Sequence, residues 1–186
     1  MLLQNKTVSQ YAHTIAARIR FRQWSWVVFF ASMAASVGAA EVDVYMARVT
    51  YVTDGDTLWV QPGDGSATRK LRMQGIDAPE ICQAGGDASR AALRALVMGQ
   101  RVQVRVRYHD DYGRGLAQIQ LGSQDVAALL VSAGHAWSYR WRSKPGPYAA
   151  EEARARQARL GLFAVDQPEL PRTFRKRHGP CDRVKP

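Results

Sequence analysis

Tyr51-Val52-Thr53-Asp54-Gly55-Asp56-Thr57-Leu58-Trp59-Val60-Gln61 reads as two strands joined by an acidic glycine turn. Residues 44–53 are rich in β-branched and aromatic side chains and form the first strand. Asp54-Gly55 is a turn signal, and residues 57–61 form a short second strand. Pro62-Gly63-Asp64-Gly65-Ser66 is a loop before a third strand over residues 68–74. The run Gly75-Ile76-Asp77-Ala78-Pro79-Glu80 ends it, since proline lacks an N–H and restricts the residue before it.

Working outward, residues 87–98 predict a helix with Ala88, Ala91, Ala92, Ala95 and Leu96 as its apolar face and Gly99 as its stop. Residues 101–108 alternate Arg101, Gln103, Arg105 and Arg107 with Val102, Val104, Val106 and Tyr108, the pattern of a half-buried strand with a basic outer face. Asp110-Asp111-Tyr112-Gly113 is a turn, and residues 114–121 form a fifth strand. A short helix over 125–133 is capped by Ser123 or Asp125 and stopped by Gly134. A third helix spans 149–160, with Gly161 as its cap.

Connections this short do not fit βαβ crossovers. The fold class is α+β with a mainly β core: a five-stranded barrel of the OB type with three α-helices, an architecture that favours nucleic-acid ligands. The domain covers residues 41–165. Residues 166–186, with Pro168, Pro171 and Pro180 and the cluster Arg172, Arg175, Lys176 and Arg177, read as a basic tail. The sequence carries no internal repeat.

The 186 residues carry a formal net charge of +10 and a pI of about 10.1. That excess suits a polyanion, either nucleic acid or an anionic membrane surface, the alternative being a basic surface kept for solubility. No acid precedes Glu41. An apolar run over residues 24–37 ends in Gly38-Ala39-Ala40, as before a signal-peptidase site. The run is shorter than the ~20 residues of a membrane-spanning helix. Residues 1–40 read as a secretory signal, directing the protein outside the cell or to the periplasm, with an uncleaved inner-membrane anchor as the alternative. Lys6, Arg18, Arg20 and Arg22 leave with the signal, so the remainder keeps +6 of the +10. Export places the two cysteines, Cys82 and Cys181, in an oxidising compartment that favours a disulfide between them, as against two free thiols.

Chemistry concentrates between Tyr51 and Glu80. Asp56 enters a strand from a glycine turn, and Asp77 stands where another strand ends. Two such carboxylates, a carbonyl such as that of Ala78, and waters suit a hard cation of the Ca²⁺ type. No His or Cys precedes Cys82 in this stretch, which argues against zinc or copper. Arg72 and Arg114 offer planar forks for a phosphodiester. Glu80 is placed to act as general base on a water. The spacing of Arg72 and Asp77 is odd, so a regular strand points them to opposite faces, and the chain must bend between them, at Gly75. Each residue also has a plainer reading. Arg72 can pair with Asp54 or Asp64, Arg114 with Asp110 or Asp111, and Glu80 can be a helix-start charge or a solvated group.

Asp54-Gly55-Asp56-Thr57, Arg72-x-x-x-x-Asp77-x-Pro79-Glu80 and Asp110-x-Tyr112-Gly113-Arg114-Gly115-x-Ala117 stand in the order that resembles the staphylococcal nuclease family. The resemblance runs from about Ala47 to Phe163. It implies an OB barrel with three helices and Ca²⁺-dependent hydrolysis of DNA and RNA. It implies Asp56, Asp77 and the Ala78 carbonyl as metal ligands, Arg72 and Arg114 as phosphate binders, and Glu80 as general base. A threonine stands at the Ala78 position in the type enzyme, and only its carbonyl contact survives here. Family members stack nucleotide rings on tyrosines after the second helix. Here Tyr139 and Trp141 are the candidates, though out of register, with packing against the barrel as the alternative. The family's lysine-rich loop is shortened to about Gln83–Asp87. The four histidines match no catalytic position.

The expected protein is therefore a monomeric metal-dependent nuclease without a stable protein partner. A non-catalytic nucleic-acid-binding OB module is the alternative, and an envelope protein laying its basic tail on anionic lipid is a third reading.

Overall fold

Alternation of apolar and polar side chains builds a closed barrel wall. The computed structural model describes residues 42–140, 142, 144–179 and 181; the leader and anchor readings of residues 1–40 lie outside the described residues. In chain order the elements are β1 (Asp43–Val52), β2 (Thr57–Pro62), β3 (Arg69–Met73), β4 (Ile76–Asp77), α1 (Gly86–Val97), β5 (Arg101–His109), β6 (Gly115–Leu121), β7 (Gln124–Asp125), α2 (Val126–Ser132), β8 (Trp137–Ser138), α3 (Ala149–Gln157), a 3-10 turn (Gly161–Ala164) and α4 (Pro171–His178). None of the described helices is long and apolar enough to cross a membrane.

The strands lie in the order β3-β2-β1-β5-β6-β7. All neighbours are antiparallel except β3 and β6, which pair in parallel and close the barrel, with Leu71 opposite Gly115 and Arg72 opposite Leu116. Five strands thus form a closed OB-type barrel, as expected. Val49, Leu58, Val60, Leu71, Val102, Val104 and Ile119 fill its interior. A separate two-stranded ladder, β4 with β8, sets Asp77 opposite Trp137.

Four expectations are corrected. The described helices number four, not three, because α4 forms within the stretch read as a tail. Tyr108 is 54% exposed, not inward-facing. The β5–β6 register shifts between Val106 and Tyr108, and beyond it the inward alternation ends, with Arg107, Tyr108 and His109 all exposed. In α1 the helical period is right and Ala92 and Leu96 pack against the core, but the centre of the buried face is rotated from the expected one. Ser89, Leu93 and Val97 are buried, whereas Ala88, Ala91 and Ala95 are exposed. Alanine tolerates either side of a helix, so the larger Leu93 and Val97 decide which side packs. Finally, α3 ends at Gln157 instead of Leu160, with Arg159 at φ 51° in the chain reversal before the 3-10 turn.

Packing between α3 and β8 joins an apolar cluster of Trp137, Ala155 and Phe163 to a buried acid. Glu152 is 2% exposed. Its carboxylate accepts from the Ser138 N–H at 2.9 Å, Arg140 Nη2 at 3.2 Å and Arg156 Nε at 2.8 Å. A buried carboxylate stripped of such partners is costly, so these bonds hold β8 against α3. Because β8 pairs with β4, the same network fixes the strand that carries Asp77.

Candidate active site

The acidic turn before β2 is shaped from within. The Asp56 N–H donates to Asp54 Oδ1 at 3.0 Å, a short side-chain-closed turn. Gly55 sits where a Cβ would come within 2.7 Å of the Ala78 Cβ and collide with Ser89 of α1. A glycine is needed there by close approach. Asp56, at 2% exposure, is fully engaged. Its Oδ1 accepts from Thr57 Oγ1 at 2.9 Å and Arg72 Nη1 at 3.1 Å, and its Oδ2 from the Ala78 N–H at 3.1 Å.

Leu71 and Met73 point into the barrel, so Arg72 between them points out. The bend after β3 then returns the chain. Gly75 has φ +83°, and a Cβ there would meet Pro147 Cγ at 2.7 Å. This reversal carries Asp77 onto the Arg72 side, where Arg72 Nη2 donates to Asp77 Oδ1 at 2.9 Å. Arg72 therefore pairs with Asp56 and Asp77, not with Asp54 or Asp64.

Glu80 Oε1 accepts from Arg175 Nη1 of α4 at 2.6 Å, and the same nitrogen reaches Asp77 Oδ1 at 3.4 Å. One chain of hydrogen bonds thus links Ala78, Asp56, Arg72, Asp77, Arg175 and Glu80. Arg114 lies outside that chain. Its Nε donates to Asp110 Oδ2 at 2.7 Å, and Asp110 Oδ1 accepts the Tyr112 and Arg114 N–H groups. The parallel pairing of Leu71 with Gly115, the next residue, brings the start of β6 beside β3. Tyr139 is 41% exposed and borders the bend, its N–H donating to the Gly75 carbonyl at 2.8 Å. Trp141 lies outside the described residues. Cys82 and Cys181 form a disulfide with a Cα–Cα distance of 5.8 Å.

Sequence reasoning missed Arg175, Gln83 and Glu152. A signal for α4 was present: Pro171 at the first helical turn and Gly179 after the last. No local pattern says that Arg175 reaches Glu80, 95 residues away.

Electrostatics follow from the burial of these acids. Loss of hydration, and then Asp56, raise the Asp77 carboxyl, while Arg175 and Arg72 pull it back. Loss of hydration and the Asp56 carboxylate push Asp54 up to about 7. Asp56 and the other acids hold the Arg72 guanidinium above its usual range against its own desolvation, so it stays charged. Among the described residues no group of three or more His, Cys, Asp and Glu side chains gathers as a metal cluster. Two buried carboxylates do face one another across Arg72, with Asp77 Oδ2 unpaired among the described residues. Two all-oxygen donors this close together fit a hard divalent cation that takes its remaining ligands from water or substrate.

Residues 70–165 match the family model described as "Staphylococcal nuclease homologue". The chain is 33% identical over 143 residues to a micrococcal nuclease of Shigella flexneri, covering 71% of this chain and 81% of that protein. It is 34% identical over 131 residues to an uncharacterized endonuclease of Escherichia coli O157:H7, covering 70% and 84%. It is 36% identical over 107 residues to a probable staphylococcal-like nuclease of Oryza sativa subsp. japonica, where it covers 58% of this chain but spans only 29% of the relative. Arg72, Asp77, Glu80 and Arg114 lie within the family match; Asp56 precedes it, and Arg175 and Cys181 follow it.

Proposed function

The chain belongs to the staphylococcal nuclease homologue family, and from that premise we propose that it hydrolyses phosphodiester bonds of DNA or RNA with a divalent cation, Ca²⁺ in the first instance. The observation that carries this reading is the buried pair Asp56 and Asp77, bridged by Arg72, with Glu80 one contact away through Arg175.

Asp56, Asp77 and the Ala78 carbonyl hold the cation. When bound, it supplies positive charge to the phosphate oxygens. Arg72 and Arg114 hold the phosphate. Among the described residues Arg72 Nε and Arg114 Nη1 have no partner, so each retains a donor for it. Glu80 Oε2 is likewise unpaired among the described residues and accepts the proton of the attacking water. Charge that builds on phosphorus oxygens in the transition state meets two fixed guanidinium groups. Tyr139 and Trp141 offer stacking faces for bases. The protein acts as a monomer outside the cytoplasm, with residues 1–40 as its export leader and the barrel domain 41–165 as the nuclease.

Plasmid nicking tests the reading. The purified protein is incubated with supercoiled plasmid and with Ca²⁺, Mg²⁺ or Mn²⁺ in turn, then with a chelator. Nicking that the chelator stops and that Glu80→Gln suppresses is expected. Retention of plasmid in a gel shift without nicking under any cation sinks the proposal in favour of a binding module.

A further inference from the structure

In the function proposed above, proton removal turns on Glu80, and the shortest contact on its carboxylate comes from outside the barrel. Arg175 Nη1 donates to Glu80 Oε1 at 2.6 Å, leaving Oε2 open. Its contact with Asp77 uses Oδ1 only, at 3.4 Å, leaving Oδ2 open. Both contacts come from one nitrogen of a guanidinium that is 35% exposed. A charge-assisted bond to one oxygen fixes a partly exposed carboxylate in a single rotamer while sparing the oxygen that accepts a proton.

Helix propensity does not put Arg175 there. An eight-residue helix is too short to persist alone. Among its residues only Pro171 is buried. Position comes from both flanks, and every tie starts within three residues of Glu80. Gln83 Nε2 donates to the Glu169 carbonyl at 2.6 Å before the helix, while its Oε1 accepts the Glu80 N–H at 3.2 Å. After the helix, Cys181 is bonded to Cys82. Residues 80–83 therefore grip the chain on either side of Arg175. None of these distant partners, Glu169, Arg175 or Cys181, falls within the span matched by the family model.

We propose that Arg175 is a positioning residue for Glu80, delivered by the disulfide-tethered helix α4, and that full phosphodiesterase activity depends on the Cys82–Cys181 bond. The inference rests on Glu80 being the base. Arg175 acts through Glu80 and not as a plug, because the open oxygens of Glu80 and Asp77 face no partner from α4 among the described residues.

Plasmid nicking by Arg175→Ala, Arg175→Lys, Glu80→Gln, the Arg175→Ala/Glu80→Gln double variant, Arg172→Ala and Cys82→Ser/Cys181→Ser tests it, with folding checked by circular dichroism and thermal unfolding. Loss of Arg175 is expected to lower kcat about 10–100-fold, the scale of a misplaced catalytic group, with KM changed by no more than about threefold. Lysine is expected to restore much of the rate, because a single nitrogen makes both contacts. The double variant is expected to be no slower than Glu80→Gln alone, since Arg175 has no base left to hold. Cys82→Ser/Cys181→Ser and reduced wild type should match Arg175→Ala. Arg172→Ala, on the same helix and exposed, should keep its rate within about twofold.

Unchanged or faster cleavage by Arg175→Ala, a pure rise in KM, additive losses in the double variant, or an equal loss in Arg172→Ala overturns the inference while leaving the nuclease reading intact. A wild type that never cleaves overturns both, and coupled unfolding midpoints of the Arg175 and Glu80 variants then show a contact without the chemistry.

Discussion

The two walls around Glu80 are built by opposite means. The wall from Asp54 to Asp77 belongs to the barrel. Arg72 and Asp77 stand on strands and Asp54 and Asp56 on the turn into β2, all backed by the barrel core, and Gly55 and Gly75 are wedged against neighbours. The wall from Glu169 to Cys181 has one buried helical residue and is held by a side-chain bond and a disulfide. The first is held by the packing of the core; the second has little packing of its own and depends on its few specific ties. A cross-link can therefore do, over a separation of 99 residues, what packing does locally.

The largest effect is expected in the barrel-held half. Glu80→Gln removes the proposed base and is expected to lower kcat on the order of 10²–10⁴-fold, the usual share of a general base, with an unchanged unfolding midpoint. A loss under tenfold by steady-state kinetics would dissolve the distinction between Glu80 and its supports. Next comes the cross-link. The chain-entropy model assigns about 4–5 kcal/mol to a closed loop of this length, an upper figure for reducing Cys82–Cys181. Hydrogen exchange after reduction is expected to show Pro171–His178 unprotected and β1 and β5 still slow. Equal loss of protection in both would show that the two walls form one cooperative unit.

A smaller effect is expected from Gly55→Ala. Its Cβ overpacks Ala78 and Ser89, costing about 1–3 kcal/mol by chemical denaturation. A neutral change would show that the acidic turn is as loosely held as α4. The gentlest probe is pH with a chelator present. Asp54 is raised to about 7 from an ordinary 3.8. The folded state thus binds the extra proton between those values, and stability in this group's window falls as pH rises from about 4 to 7. The chelated protein should melt at higher temperature near pH 5 than near pH 8 as far as Asp54 contributes. A divalent cation should flatten that decline, because it favours the ionised acids. A rising melting curve in chelator would remove Asp54 from the account.

Much of the barrel was legible in local pattern. Val102, Val104 and Val106 are inward and Arg101, Gln103 and Arg105 outward because side chains alternate on a pleated strand. Tyr108 escaped that rule because an irregularity in the β5–β6 pairing, invisible in the alternation, ends the inward pattern at Val106. The α1 face escaped because alanine carries little preference for burial. The site residues Asp56, Arg72 and Asp77 were legible as a group, and so was the need for a bend at Gly75. Their pairing was not, since Arg72 had two acids within the same stretch as equally simple partners. Arg114 shows the converse, with the plain ion pair to Asp110 being the one formed.

By itself, the sequence determined which strands form the wall, where the glycine turns fall and which acids stand beside them. Hydrophobic period and turn chemistry act within a few residues and need no knowledge of the rest of the chain. Only tertiary structure decided that Arg72 bridges two buried carboxylates, that β3 closes on β6, and that Arg175 arrives at Glu80 across 95 residues. Contacts of that range depend on loop closure and on the packing that remains once the barrel has formed, and no local periodicity encodes them.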